Sequence, residues 1–172
     1  GTFDPIHNGH LVAAEQAAHD LNLDLVVFVP AGSPAFKQDR HVSSAEDRHA
    51  MTLLATADNP RFLVSRLEVD RPGITYTVDT LELLRSHYPN NVEIYFITGA
   101  DAISDILSWH DADRIASLAH LVGATRPGYD LEHARASLAK SGIRFLVHYL
   151  EVPALAISSS DLRARVAAGQ SL

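Results

Sequence analysis

The sequence predicts an α/β protein with a doubly wound, mainly parallel sheet. Short apolar runs of strand length alternate with stretches of helical period along the chain. Gly, Pro, Asn and Ser residues separate the two kinds of segment, and no internal repeat or low-complexity linker interrupts them. Alternation of this kind builds right-handed βαβ units, in which parallel strands pack between layers of helices.

Length and composition favour one folded domain. The chain has 172 residues, of which 47% are hydrophobic and 20% charged, as is typical of a globular protein. We therefore expect residues 1–172 to form a single domain. The chain opens on a glycine-containing loop with no strand before it and closes on small residues after a predicted helix. We expect this domain to lack its first strand and a C-terminal segment.

Charge and cysteine content exclude several classes of function. The formal net charge is −7, from 14 Lys and Arg against 21 Asp and Glu, so no nucleic-acid partner is expected. The absence of cysteine excludes disulfides, thiolate zinc sites and cysteine nucleophiles. No apolar run approaches the roughly 20 residues of a membrane span and no signal peptide is visible, so we expect a cytoplasmic protein without a membrane partner. The oligomeric state stays open between a monomer and a homo-oligomer.

Helical and strand patterns alternate in the first third of the chain. The apolar period after the first loop predicts a helix over residues 11–21. The continuous apolar run of residues 25–30 is typical of a strand buried on both faces. Ser43 and Glu46 have the spacing of a capping box, which predicts a helix that runs to about Asp58.

The middle of the chain continues the alternation. A strand is expected at residues 62–64, and the turn at residues 72–73 separates it from a helix that opens at residues 75–77. Pro and Asn at residues 89–91 end that helix. Residues 92–98 carry the clearest strand pattern of the sequence, with β-branched and aromatic side chains.

The last third of the chain is expected to finish on a capped helix. Gly99 to Asp101 follow a strand directly and start a helix, and Ser158 to Asp161 cap the final helix to about Ala168. Between them we expect helices at residues 112–118 and 131–140 and strands at residues 120–124 and 143–150. In open parallel sheets ligands bind beyond the carboxyl ends of the strands. We therefore expect one rim to hold the loops Gly1–His10 and Gly99–Asp101, the loops with Lys37 and Arg126, and the segment Ser158–Arg163.

The first ten residues combine several features that suit a phosphate ester. They form a small-residue loop with a proline, followed by His7 and His10 at the start of a predicted helix. Unpaired backbone N–H groups and the positive end of the helix dipole lie at such a start. Two imidazoles at i and i+3 add further donors on the same face. Two histidines at this spacing in an arbitrary chain are typical of a solvated helix face or a metal site, so the surrounding loop decides the interpretation.

Two motifs resemble those of a known family. Gly1-Thr2-Phe3-Asp4-Pro5 with His7-x-Gly9-His10 resembles the HxGH loop of the nucleotidyltransferase superfamily, and residues 157–163, Ile-Ser-Ser-Ser-Asp-Leu-Arg, resemble its ISSTxIR signature. Four intervening segments narrow the resemblance to the bacterial nicotinate-nucleotide adenylyltransferase family. These are residues 75–80, 99–101, 108–109 and 126–129.

This resemblance implies a Rossmann-like nucleotidyltransferase fold and a reaction in NAD biosynthesis. Nicotinate mononucleotide attacks the α-phosphate of ATP, and deamido-NAD and pyrophosphate are formed. The implied partners are ATP and nicotinate mononucleotide, and Mg²⁺ is bound with the ATP. The attacking group is already a phosphate oxygen, so alignment and charge neutralisation supply the catalysis.

The resemblance also implies roles for individual residues. The catalytic residues expected from it are His7, His10, Lys37 and Arg163. The expected ATP-binding residues are Gly1, Thr2, Phe3, Gly9, His10, Ser158, Ser159, Ser160 and Arg163. The expected nicotinate-nucleotide-binding residues are Tyr76, Thr77, Gly99, Asp101, Trp109 and Arg126. No residue is expected to hold a metal ion by itself.

Other interpretations stay open at this point. A related nucleotidyltransferase with another acceptor, such as phosphopantetheine, shares the two signatures. A nucleotide-binding module with impaired catalysis would bind ATP without turnover, and a histidine-based metal protein would bind Zn²⁺ through His7 and His10. Ser160 stands where the family signature has threonine and keeps the hydroxyl group, and the loop of residues 34–37 differs from the usual variants.

Overall fold

The computed structural model describes residues 1–35, 41–125, 128, 130–153 and 155–172. Within these ranges the helices are α1 (Asn8–Asp20), α2 (Ala45–Thr56), α3 (Thr77–His87), α4 (Ala100–Ser104), α5 (Ala112–Leu118), α6 (Glu132–Lys140) and α7 (Ser159–Ala167), and a 3₁₀ turn lies at Ile106–Ser108. The strands are β1 (Val26–Phe28), β2 (Ser33–Pro34), β3 (Phe62–Val64), β4 (Ile74–Thr75), β5 (Tyr95–Gly99), β6 (His120–Thr125) and β7 (Val147–Glu151).

Every strand pair in the described ranges is parallel, which confirms the predicted fold class. β1 pairs with β3, β2 pairs with β4, and β5, β6 and β7 form a three-stranded sheet in that order. Parallel neighbours need crossover connections, and helices supply them: α2 between β1 and β3, and α6 between β6 and β7. The sequence does not predict β2 and β4, because two residues carry no readable period.

The chain divides into two compact units, which are described separately. The first unit comprises Gly1–Thr75 with Leu155–Leu172, and the second comprises Tyr76–Ala154. That residues 1–172 act as a single domain stays a prediction.

Helix α1 of the first unit begins at Asn8, three residues before the predicted start. His7 is its N-cap, with extended backbone angles (φ −150°, ψ 169°). The buried face of the helix is made of Ala14, Ala17 and Ala18, whose exposed fractions are 4% or less. Such small side chains let the helix backbone pack closely against its neighbours.

Helix α2 is capped one residue later than the capping box predicts. The cap is Ser44, whose hydroxyl oxygen accepts a hydrogen bond from the backbone N–H of Asp47 at 3.1 Å. The buried face of this helix is polar and consists of Arg48, Thr52 and Thr56 together with His49. The two threonine hydroxyls donate to carbonyls one turn earlier, at 2.7 and 2.9 Å, which satisfies them inside the fold.

The second unit has its own hydrophobic core. Helices α3 to α6 and strand β6 contribute side chains to one buried cluster, and its members Ile103, Ile106, Ile115 and Leu121 have no exposed surface. The buried residues of this cluster are Val78, Leu81, Ile103, Ile106, Ile115, Ala119, Leu121 and Leu138. Burial of this kind holds the first turns of α3 and α4, where several predicted site residues lie.

Strands β5 and β7 begin later than the apolar patterns predict. The predicted strand at residues 92–98 starts at Tyr95, because the carbonyl of Val92 accepts a hydrogen bond from the guanidinium of Arg85. The predicted strand at residues 143–150 starts at Val147, after a turn with Gly142 at φ +73°. Side-chain capture of a carbonyl takes residues out of the ladder at β5. Before β7 the backbone turns locally, because the N–H of Phe145 donates to the carbonyl of Ile143 at 3.2 Å. Over the described residues, no helix has the length and apolar character needed to cross a membrane.

Candidate functional site

A cavity of about 260 Å³ lies in the first unit, where α1 and α7 begin. Its lining comes from the first loop (residues 1–7) and from the first turns of the two helices. The lining residues are Thr2, Phe3, Asp4, His10, Ser159, Ser160 and Arg163. Two helix N-termini at one cavity bring together backbone N–H groups and the positive ends of two helix dipoles, which favours an anionic ligand.

His10 lies in the first turn of α1 with a defined orientation. Its Nδ1 accepts a hydrogen bond from the backbone N–H of His7 at 3.2 Å. Because Nδ1 is the acceptor, the proton of the neutral ring is assigned to Nε2. The ring also lies edge-on to Phe3, with centroids 5.2 Å apart and planes at 86°. The ring proton that a neutral His10 can donate is therefore the one on Nε2.

His7 packs behind His10 and does not line the cavity. The two ring centroids are 3.8 Å apart. Burial lowers the pKa of His7 below its usual 6.5, and a backbone hydrogen bond opposes this effect in part. Its buried Nδ1 has no hydrogen-bond partner within the described part of the chain. A Cβ on Gly9 would approach this ring to 3.0 Å, so the glycine gives the imidazole its room.

Arg163 connects α7 to the first loop. Its Nη1 donates to the carbonyl oxygen of Asp4 at 2.5 Å and lies 3.8 Å from the carboxylate of the same residue. Its Nη2 donates to the Ser160 hydroxyl at 3.3 Å. These contacts hold a forked cation at the cavity wall. Sequence reasoning missed Asp4, because this residue is part of the first loop motif. Its partner Arg163 belongs to the second motif, and only the structure shows that the two residues are in contact.

The three serines have different tasks. Ser158 is the N-cap of α7, and its hydroxyl oxygen accepts from the backbone N–H of Asp161 at 3.1 Å. Ser159 donates to the carbonyl of Pro5 at 2.8 Å, which ties the helix to the first loop. Ser160 lines the cavity beside Arg163. The serine segment therefore both starts the helix and joins it to the other half of the cavity.

Six of the nine residues expected to bind ATP line the cavity, and Gly1, Gly9 and Ser158 support it from outside. The nitrogen of Gly1 donates to the carbonyl of Val29 at 2.7 Å, and its own carbonyl accepts from the N–H of Ala31 at 2.7 Å. These bonds fix the first loop beside the end of β1. Lys37, also expected to be catalytic, lies outside the described residues.

Tyr76 and Trp109 lie in the second unit, half-buried against its core. Tyr76 is the N-cap of α3, and its ring lies 4.6 Å from that of His110, with planes at 37°. Trp109 meets Phe96 edge-on, with centroids 5.9 Å apart. Each ring is thus fixed by packing on one side and partly accessible on another. Sequence reasoning missed His110, which its position beside Trp109 could have suggested.

The other residues expected to bind the nicotinate nucleotide lie at helix starts of the second unit. Thr77 is the first residue of α3 and is partly exposed. Gly99 ends β5 and caps α4, and Asp101 lies in the first turn of that helix; both are exposed. A Cβ at position 99 would meet no atom within 4 Å. Arg126 lies outside the described residues.

No metal cluster is formed by the side chains that the structure describes. Within the ranges given above, no group of three or more His, Asp or Glu residues is arranged to hold an ion.

Comparison with known proteins gives consistent results. The cytidylyltransferase-like family model matches residues 1–165. A protein of Corynebacterium jeikeium (strain K411) named probable nicotinate-nucleotide adenylyltransferase is 52% identical, over 99% of this chain and 87% of its own length. A protein of the same name from Streptomyces coelicolor is 56% identical, over 98% of this chain and 86% of its own.

A solved structure shares the fold. Nicotinic acid mononucleotide adenylyltransferase of Plasmodium falciparum, complexed with NaAD, superimposes with a TM-score of 0.76. The superposition covers 95% of this chain and 80% of that chain, at 22% sequence identity. The likeness establishes the Rossmann-like nucleotidyltransferase architecture that the sequence predicts.

Proposed function

Because the chain belongs to the cytidylyltransferase-like family, we propose that it is an enzyme that transfers the adenylyl group of ATP to nicotinate mononucleotide. The products are deamido-NAD and pyrophosphate, and the reaction is a step of NAD biosynthesis. The observation that carries this proposal is the 52% and 56% identity, over nearly the whole chain, to relatives named for this activity.

The chemistry requires positioning more than acid–base catalysis. A phosphate oxygen of the mononucleotide forms a bond to the α-phosphorus of ATP, and the bond from that phosphorus to the bridging oxygen of the β-phosphate breaks. The electron pair leaves with pyrophosphate, so no protein nucleophile takes part. The protein has to align the two nucleotides and stabilise negative charge on the phosphoryl oxygens.

The cavity of the first unit is suited to the triphosphate. In our proposal His10 donates through Nε2 to a phosphate oxygen, and Arg163 adds a forked cation. The backbone N–H groups of Ser159 and Ser160 lie at a helix N-terminus and add neutral donors. What supports these roles is that all four residues line one cavity. Thr2 and Phe3 complete its wall, and Gly1, Gly9 and Ser158 hold the wall in place.

His7 and Lys37 have supporting roles in this proposal. His7 stacks on His10 at 3.8 Å, and its buried Nδ1 is a group that an ordered water would satisfy. Lys37 acts as a point charge on the polyphosphate, a role that rests on the sequence resemblance alone.

The second unit is proposed to bind the acceptor nucleotide. Tyr76 and Trp109 offer partly exposed aromatic faces, on which a nicotinate ring can stack. Thr77 and the adjacent backbone N–H groups suit its carboxylate, and Asp101 suits a ribose hydroxyl next to Gly99. Arg126 is a candidate phosphate or ribose contact from the sequence resemblance. Because the family match spans both units, we propose that residues 1–172 work as one catalytic domain.

Divalent metal ions accompany nucleoside triphosphates in phosphoryl transfer, because they neutralise the charge of the polyphosphate. We propose that the ion is Mg²⁺ and that it enters as the complex with ATP, keeping most of its ligands as phosphate oxygens and water. The need for ATP favours the cytoplasm as the compartment of the reaction. A homo-oligomeric state stays a prediction.

A product assay with a panel of substrates tests the proposed function. The protein is incubated with ATP, Mg²⁺ and either nicotinate mononucleotide or its amide, and dinucleotide and pyrophosphate are quantified by chromatography and a coupled assay. We expect deamido-NAD with one pyrophosphate released per dinucleotide, and no product when CTP replaces ATP. Absence of deamido-NAD from the nicotinate reaction would overturn the proposal.

A further inference from the structure

Arg48 has the most deeply buried charged side chain of the described core. It lies on the inner face of α2, with an exposed fraction of 1%. A buried guanidinium is rare in proteins unless all its donors have partners. The partners of this one are backbone carbonyls, and they come from three separate segments of the first unit.

The three hydrogen bonds of Arg48 converge on the first loop and its neighbours. Nη1 donates to the carbonyl of Thr2 at 2.8 Å, Nη2 donates to the carbonyl of Gly32 at 3.0 Å, and Nε donates to the carbonyl of Ser43 at 2.9 Å. Thr2 lines the cavity. The guanidinium thus forms a direct link between the core of α2 and the cavity wall.

The charge of Arg48 is compensated inside the fold. Burial lowers the pKa of its guanidinium, and the nearby carboxylates of Asp4 and Glu68 oppose this effect. Both acids are themselves buried, with exposed fractions of 6% and 8%. An arginine stays protonated under these conditions, so the site keeps a permanent cation.

The backbone at Gly32 passes so close to the backbone at Glu68 that only glycine fits at position 32. A Cβ at position 32 would lie 2.1 Å from the carbonyl oxygen of Glu68, a distance that atoms cannot share. The glycine therefore permits a backbone contact that brings the carbonyl of residue 32 within reach of Arg48. The site is built from several segments and not from one flexible side chain.

The bond to Thr2 acts on the residue that follows it. The carbonyl of Thr2 belongs to the peptide unit whose orientation sets φ of Phe3, and Phe3 has φ +50°. This left-handed conformation is uncommon for a bulky residue and persists only when its surroundings hold it. In this conformation the ring of Phe3 meets His10 edge-on at 5.2 Å.

We propose that Arg48 is a positioning residue for the cavity: through the Thr2 carbonyl it fixes Phe3 and, through the Phe3 ring, the imidazole of His10. The proposal rests on the proposed function, because it assigns the cavity to the triphosphate of ATP. Arg48 itself does not line the cavity and is not assigned a contact with substrate.

Lysine cannot replace this arginine. An ammonium group is a point donor, whereas the planar guanidinium reaches three carbonyls in different directions at once. Arg48→Lys keeps the positive charge that balances Asp4 and Glu68 and removes the planar set of guanidinium donors. The variant therefore separates the effect of losing these hydrogen bonds from the effect of losing the charge. Arg61→Lys is the matched control, since Arg61 is a partly exposed arginine of the same unit that pairs with Glu15 on the surface.

The test measures binding before it measures turnover. A non-hydrolysable ATP analogue is titrated by calorimetry without any acceptor, and the ¹³C–¹H signal of the His10 ring is followed by NMR. For Arg48→Lys we expect a shifted His10 signal, an affinity at least about tenfold weaker and a kcat/KM for ATP lower by about 10²-fold, since small misplacements have effects of this size. Arg61→Lys is expected to match the wild type in all three.

Several outcomes would overturn the positioning role. A variant that loses thermal stability but keeps the wild-type His10 signal and analogue affinity would show that Arg48 is structural only. If Arg48→Lys does not fold, the Nη1–H signals of Arg48, which report on the bond to the Thr2 carbonyl, are followed in the wild-type protein during the same titration; signals that do not move exclude the link. Failure of the proposed acceptor chemistry would appear in the product assay alone and would leave these acceptor-free measurements unaffected.

Discussion

The imidazole of His10 shows how one side chain can serve structure and chemistry with different atoms. Its Nδ1 accepts a hydrogen bond from the N–H of His7 at the start of α1, and we propose that its Nε2–H donates to a phosphate oxygen. A variant that removes the whole ring therefore loses both the Nδ1 acceptor and the Nε2–H donor. A variant that keeps the acceptor and removes the donor separates them.

His10→Asn provides this separation. The amide oxygen of asparagine stands close to the place of Nδ1, while nothing replaces Nε2–H. We expect kcat to fall by about 10²- to 10³-fold, the range for loss of one donor to a developing charge, with little change in KM for the mononucleotide. Steady-state kinetics measure both, with the exposed His19→Asn at the other end of α1 as the control. Equal, small changes in both constants would contradict the role of His10.

His7 is expected to make stability depend on pH. Its pKa in the folded protein lies below 6.5 because burial disfavours the charged ring, so below pH 6.5 the unfolded chain binds a proton that the folded protein resists. Stability from this residue is present above pH 6.5 and is lost as the pH falls. Urea midpoints at pH 7.5 and pH 5.5 measure it.

The expected control for this effect is His7→Gln, which removes the titrating group. Its midpoint should change less between the two pH values than that of the wild type. Identical changes in the two proteins would show that other groups account for the acid sensitivity.

At the scale of elements, the starts of α1 and α7 form the candidate site. They are 151 residues apart in the chain (Asn8 to Ser159) and line one cavity through their first turns. Each start depends on its cap. Helix α2 also has a serine cap with a hydrogen bond of the same length, and this cap does not line the cavity. A comparison of the two caps therefore separates the effect on helix stability from the effect on the candidate site.

Ser158→Ala and Ser44→Ala form the matched pair. Both hydroxyls accept from a backbone N–H three residues on, at 3.1 Å, so each loss is expected to destabilise the protein by about 0.5–2 kcal/mol. Only Ser158→Ala is expected to raise KM for ATP, because residues of α7 line the cavity and residues of α2 do not. Thermal unfolding and steady-state kinetics measure the two effects. An equal rise in KM for both variants would assign it to global stability.

At the scale of the molecule, the sequence predicts the alternation of elements well and their ends less well. The two motifs contain most of the residues that meet at the cavity, because a small-residue loop before a helix and a serine-capped helix start both have a local signature. No local sequence pattern predicts that Arg48 is buried, since an arginine on a helix is normally exposed to solvent. The late start of β5 depends on the hydrogen bond from the guanidinium of Arg85 to the carbonyl of Val92. No sequence pattern relates these two residues, although they are adjacent in space. Hydrophobic periodicity therefore does not predict the contacts that single side chains make across the fold.

The buried carboxylate of Asp4 lies 3.8 Å from the guanidinium of Arg163 and also attracts Arg48. If the cavity binds the triphosphate as we propose, an anion at this place weakens the attraction for every polyphosphate there, including the leaving pyrophosphate. We expect Asp4→Asn to lower the inhibition constant of pyrophosphate and to slow turnover, which product-inhibition kinetics would measure; unchanged inhibition would contradict this. Pyrophosphate that binds too tightly would dissociate slowly and limit turnover, and we expect the carboxylate of Asp4 to keep its dissociation fast.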